Sequence, residues 1–198
     1  MSYKPTMKLL HDSRAERDHV QQIISGDVRA FRDLVRQYYS LAYGLSYKVL
    51  NDASDAEEIT QDTFVKIHQA LDSFRGDASL KTWIMRIVMR LSLNRRRDRS
   101  RSSWRRLGLH QGDDVDGSIP TAQTPEAQYI SHETHTQVRH LIDQLPEALR
   151  QVLILNSFDD LSYDEIAQIL DVPIGTVSSR LHSARKKLLH QLRERDLL

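Results

Sequence analysis

The stretch from Asp52 to Arg106 reverses its charge halfway along, and this constrains the fold more than any other feature of the chain. Its first half holds Asp52, Asp55, Glu57, Glu58 and Asp62, with no Lys or Arg between Lys48 and Lys66. Its second half holds Lys81, Arg86, Arg90, Arg95, Arg96, Arg97, Arg99, Arg101, Arg105 and Arg106, against a single acid, Asp98. A short hinge with turn chemistry, residues 72–79, lies between them. Adjacent helices of opposite charge do not share one kind of partner. An acidic face suits a basic protein surface; a basic face with an exposed aromatic suits nucleic acid. The net charge is only +1, so the segregation of charge makes this argument and its total does not.

Both halves read as helices. Ser54 and Glu57 have the spacing of a capping box, after which Ala56, Ile59, Thr63, Ile67 and Leu71 turn inward. Asp55, Glu58 and Asp62 then share an outward face, beside Gln61 and with no cation nearby. Taken alone, such a run is an ordinary solvated face at a helix N-terminus. Ser79 caps a second helix from Leu80 to about Arg97, with Leu80, Trp83 or Ile84, Ile87 and Leu91 as its seam. Arg86, Arg90, Asn94 and Arg97 line another face, and no acid within the helix precedes Asp98. Arginine at that density fits phosphate neutralisation better than solvation. Trp83 is either core or a platform for an unstacked base. The hinge from Phe74 to Ser79 offers backbone N–H groups at a helix start, a pocket for a flipped base.

The remainder extends an all-α reading. Phe31, Leu34, Val35, Tyr38, Ala42, Leu45 and Val49 predict an amphipathic helix over 28–50. Glycine, proline and acid between Leu107 and Pro125, with no Lys or Arg before Arg139, predict a flexible acidic linker. Beyond it, Ser162-Tyr-Asp-Glu165 caps a short helix, Asp171-Val172-Pro173 turns, and a long helix follows on Val177, Leu181, Ala184, Leu188 and Leu192. Short helix, tight turn, long basic helix is a helix-turn-helix, an arrangement that carries small polar and basic side chains into the major groove. The chain thus divides into two small helical domains, 20–106 and 129–195, joined by a linker over 107–128.

Other classes are excluded or disfavoured. Cysteine is absent, which removes disulfides and thiolate zinc sites and fits a reducing cytoplasm. His132, His135 and His140 lack the spacing and partners of a metal site. The N-terminus is too polar for a signal peptide, and no apolar run reaches the ~20 residues of a membrane helix. No phosphate-cradling glycine loop or nucleophile–base pair is legible, so neither a cofactor nor catalysis is expected.

Read together, the two halves resemble the bacterial RNA polymerase sigma factors of the extracytoplasmic-function type, within the sigma-70 superfamily. Residues 55–71 look like that family's polymerase-clamp-binding helix, and 74–84 with Asn94-Arg-Arg-Arg97 look like its promoter-melting segment. Leu145-Pro-Glu-Ala-Leu149, Leu161-Ser-Tyr-Asp-Glu165 and Gly175-Thr-Val-Ser-Ser-Arg-Leu181 look like its promoter-binding helix-turn-helix. The resemblance covers about Val28 to Leu192 apart from the linker.

The resemblance implies docking on core RNA polymerase through Asp55, Glu58, Gln61 and Asp62. It implies that Phe74, Arg75, Lys81, Trp83, Arg86, Arg90 and Asn94 meet the downstream promoter element as non-template single strand. It also implies that Thr176, Ser178, Ser179, Arg180, His182, Ser183, Arg185 and Lys186 meet the upstream element as duplex, and that an anti-sigma protein controls the chain. Ser178 and Ser183 depart from the family, which often has Lys or Arg there, so direct base readout is expected to be weaker. Two other readings share the helix-turn-helix. A stand-alone regulator would bind a two-fold repeated site without polymerase. A decoy that titrates an anti-sigma protein would not need Arg86, Arg90, Asn94 or Arg185.

Overall fold

The computed structural model describes residues 13–107, 137–158, 160–195 and 197, and among them there is no strand. Helices α1 (Ser13–Ile24), α2 (Val28–Leu50), α3 (Ala53–Ala70) and α4 (Leu80–Leu107) come first, with a 3-10 turn, Leu71–Ser73, after α3. Helix α5 is described over 137–143. Helices α6 (Glu147–Asn156), α7 (Tyr163–Leu170) and α8 (Ile174–Glu194) complete the chain.

Helix α2 has the bounds that its periodicity predicts. The Asp27 carboxylate accepts from the Arg29 and Ala30 N–H groups at its start. Asn51 ends it in the left-handed region, φ 53°, and donates its N–H to the Tyr47 carbonyl. Leu34, Tyr38, Ala42, Leu45 and Val49 are buried at steps of three and four. They pack against α3 and α4, while Val20 and Ile23 of α1 close the same core.

Two details correct the sequence expectation. Helix α3 is capped by Asp52 and not by Ser54: the Asp52 carboxylate accepts from Asp55 N–H at 2.9 Å. The left-handed turn at Asn51 throws Asp52 into extended backbone, so the helix begins two residues earlier than the capping box implies. Glu57, freed from capping, accepts from the Tyr39 hydroxyl at 2.7 Å. Helix α4 continues ten residues past Arg97 to Leu107, because no glycine or proline interrupts it before Gly108.

The second unit follows its local signals closely. Ser162 and Glu165 form the predicted reciprocal capping box of α7. Asp171 takes the left-handed conformation, φ 54°, and its N–H donates to the Ala167 carbonyl, making the turn into α8. Val177, Leu181 and Ala184 bury the inner face of α8. Arg150 is buried and donates to the carbonyls of Asp143 and Leu145, closing the end of α5. Burial, with the neighbouring Arg96 guanidinium, pulls its pKa below the usual arginine value. The linker predicted over 107–128, and with it His132 and His135, lies outside the described residues apart from Leu107.

One apolar cluster includes residues of both units, from Leu34 and Met85 to Val152 and Ile166. Helix α4 packs against α7, and α2 packs against α6. The two halves are therefore seated on each other along α4.

Candidate nucleic-acid and polymerase interface

The acidic face of α3 is not free of cations as its sequence implies. Asp55 is only 16% exposed at its side chain and accepts from Arg95 Nη1 at 3.2 Å and from Arg99 Nη1 at 2.6 Å. Arg95 also pairs with Glu58, which holds its pKa above the usual arginine value. Arg99 reaches Asp52 at 3.4 Å. The Asp52 carboxyl lies below its ordinary pKa, first because of the Asp55 N–H and also because of Arg99. The acids of α3 thus bind α4 to α3. Asp62 and Gln61 are exposed, and Glu58 is 55% exposed despite its pairing. These three carry the outward part of the predicted docking set; Asp55 does not.

The hinge also differs from expectation. Glu16 of α1 accepts from the Leu80 N–H at 3.1 Å, and Ser79 Oγ accepts from the Thr82 N–H at 3.1 Å. Two N–H donors of the first turn of α4, those of Leu80 and Thr82, are thus engaged within the protein. Phe74 stands edge-on to Trp83, with ring centroids 5.5 Å apart, and both are partly buried against the core. Trp83 is half-buried and packs against the core. Arg75 is exposed, and Gly76 supplies the positive φ, 77°, that the hinge requires.

On α4 the predicted basic face divides. Arg90 and Asn94 are exposed. Lys81 is buried, at 6% exposure, and forms an ion pair with Asp160, so it does not present an open contact. Arg86 donates from Nε at 3.0 Å and from Nη2 at 2.6 Å to the carbonyl of Gln168. The consecutive Arg95, Arg96 and Arg97 point in three directions. Arg95 faces Asp55 and Glu58; Arg96 holds Asp143 and the Val49 carbonyl at 2.9 Å; Arg97 donates to Asn94 Oδ1 at 2.7 Å on its own helix. Successive helical residues diverge by about 100°, which is why a run that reads as one patch does not fold as one.

Helix α8 presents the surface predicted for it. Ser178, Ser179, His182, Ser183, Arg185 and Lys186 are exposed, while Thr176 and Arg180 are partly buried. Ser178, His182 and Arg185 lie at i, i+4 and i+7 and share one face. The Ser179 hydroxyl donates back to the Thr176 carbonyl at 3.1 Å. Asp160, Gln168 and Glu16, which engage the predicted DNA set or its hinge, went unrecognised in the sequence because their partners are 64 to 82 residues away. Among the described residues no group of His, Asp and Glu is placed to hold a metal. Among them, no helix is long and apolar enough to cross a membrane.

Two stretches of the chain match known family models. Residues 34–102 match the family described as Sigma-70 region 2, and residues 135–188 match Sigma-70, region 4. The RNA polymerase sigma-H factor of Pseudomonas aeruginosa is 34% identical over 85% of this chain and 89% of its own length. The ECF RNA polymerase sigma factor SigW of Bacillus subtilis is 32% identical over 88% of this chain and 95% of its own. The ECF RNA polymerase sigma-E factor of Escherichia coli is 34% identical over 85% and 90%. Among solved structures, CnrH in complex with the cytosolic domain of CnrY shares the fold, with a TM-score of 0.64 at 24% identity over 91% of this chain and 98% of that one. The sigma factor RpoE bound to the anti-sigma factor NepR, from Bartonella quintana, shares it with a TM-score of 0.64 at 22% identity, over 84% and 98%.

Proposed function

Because the chain belongs to the sigma-70 family of RNA polymerase sigma factors, in its extracytoplasmic-function branch, we propose that its residues divide the work of initiation as follows. Residues 20–106 dock on core polymerase and hold the melted downstream element; residues 129–195 read the upstream element. Glu58, Gln61 and Asp62 offer acceptors and a dipole to the basic surface of the polymerase. Arg75, Arg86, Arg90 and Asn94 hold the non-template strand, with half-buried Trp83 on the same helix as Arg86, Arg90 and Asn94. Ser178, His182 and Arg185 reach base edges, and Arg180, Lys186 and Lys187 hold phosphate.

Initiation then needs no catalytic group on this chain. Melting is a binding equilibrium in which strand contacts offset unpairing, at about 1.4 kcal/mol per base-pair step. An anti-sigma protein that competes for these faces is the partner this arrangement fits; the similar RpoE of Bartonella quintana is solved in complex with the anti-sigma factor NepR.

The observation that carries the reading is that both family regions occur in order on one chain whose recognition helix leaves its polar face exposed. Run-off transcription with core polymerase on a promoter library, with and without the protein, tests it. Transcripts dependent on the protein are expected; binding to a repeated duplex site without any transcript would make it a stand-alone regulator.

A further inference from the structure

Glu57 is held in a different way from the acids on either side of it. Asp55 answers two guanidinium groups and Glu58 answers one. Glu57 accepts from the Tyr39 hydroxyl, 2.7 Å from each of its oxygens, and from Gln61 Nε2 at 3.1 Å. Both donors are neutral, so they fix the carboxylate without cancelling its charge. They also hold its carboxyl below the ordinary range, the tyrosine more than the glutamine.

The tyrosine is the fixed end of this chain of bonds. Its half-buried ring, on α2, lies parallel to buried Phe64 of α3, with centroids 6.2 Å apart and planes 4° from each other. A phenol hydroxyl moves only with its ring, so packing between the two helices sets where it stands. Glu57 and Gln61 are neighbours one turn apart on α3. A carboxylate only accepts, so the Gln61 amide turns its nitrogen to Glu57 and leaves its carbonyl oxygen on the far side. Gln61 is exposed, and so is Asp62 beside it.

We propose that Tyr39 is a positioning residue for polymerase docking: through Glu57 it holds Gln61 with its carbonyl outward, so that the docking face is set before core arrives. This rests on the docking role given to Gln61 above. A free glutamine has several rotatable bonds, and either end of its amide can face a partner. Ordering it at the interface costs affinity, and ordering it in advance removes part of that cost. A basic surface supplies donors, which a carbonyl oxygen accepts and an amide nitrogen does not.

Tyr39→Phe keeps the ring and removes only the hydroxyl. In the full-length chain it should melt like the wild type and bind core polymerase about fivefold more weakly, the scale of one ordinary hydrogen bond. Gln61→Ala should also weaken binding. Tyr39→Phe added to Gln61→Ala should cost nothing more, because the group that it positions is gone. NMR of the Glu57 carboxyl carbon adds a signature that a general softening of the fold does not produce. That carboxyl should titrate at higher pH in Tyr39→Phe than in the wild type, since the larger of the two bonds that lower it is lost.

An unchanged Glu57 titration overturns the proposal, and so does an equal loss of affinity from Tyr39→Phe with and without Gln61. The reading beneath it is judged by Gln61→Ala alone. If that variant weakens core binding and Tyr39→Phe does not, only the positioning role fails. If Gln61→Ala binds core like the wild type, the docking assignment fails and the positioning role falls with it.

Discussion

Asp55 shows how a residue can have the right chemistry for one role and hold another. Its carboxylate is nearly enclosed and answers two guanidinium groups, so replacing it strands Arg95 and Arg99. Asp55→Lys should lower folding stability by about 1–3 kcal/mol, the worth of charge-assisted bonds, and a thermal melt measures it. Asp62→Lys, on an exposed site, should melt like the wild type yet pull down less core polymerase. If Asp62→Lys binds core normally, the docking face lies elsewhere. On α8, Arg185→Ala should relax base preference at one or two positions and cost about 1–3 kcal/mol. Lys186→Ala should weaken all sequences alike and flatten the salt slope by about one. Affinities across a promoter library at two salt concentrations separate them; a reversed pattern would invert the assignment. Tyr38 makes a prediction about alkali. Burial, and secondarily the Glu16 carboxylate, push its phenol up from 10.0 to about 12. A raised pKa favours the neutral form in the folded state, so its contribution is complete below the unfolded value and is lost as pH climbs from 10.0 towards about 12. The loss is worth about 2–3 kcal/mol. Tyr38→Phe should lose less stability than the wild type over that interval, read as the shift of the urea midpoint.

At the scale of elements, the sequence was most legible where the deciding signals are local. The period of α2, the Ser162–Glu165 box and the Asp171 turn all lie within a few residues of what they determine, and the structure has them where they were read. The start of α3 was misread because two acceptable caps stand two residues apart. What chooses between them is the left-handed Asn51, which periodicity does not reveal. Asp52→Ala should therefore cost about 1 kcal/mol or somewhat more, since Arg99 also loses an acceptor, while Ser54→Ala should be near neutral. Denaturant midpoints of the two variants decide it; equal losses would return the cap to Ser54.

At the scale of the molecule, the order of domains was legible and their relation was not. A flexible linker read from the sequence leaves their apposition open, whereas the chain supplies its own seam. Lys81 and Asp160 are 79 residues apart, and Arg86 reaches a backbone carbonyl, which no pattern of side chains can announce. Charge patterning foresaw that α4 would need anions. It did not foresee that α3, α5 and the turn before α7 would provide so many of them, with a carbonyl of α7 besides, and for that reason it overcounted the cations left for DNA.

The three consecutive arginines of α4 carry this lesson into genetics. Arg95 spans two carboxylates and Arg96 serves a carboxylate and a carbonyl at once, a reach that suits the wide fork of a guanidinium better than the compact head of an ammonium. Arg97 binds only its own helix and is otherwise exposed to solvent. In a pooled library with lysine at each position, selected for growth on a cognate promoter, Arg95→Lys and Arg96→Lys should be depleted while Arg97→Lys persists. Three adjacent codons for one amino acid would then differ in tolerance as sharply as positions from unrelated parts of a protein.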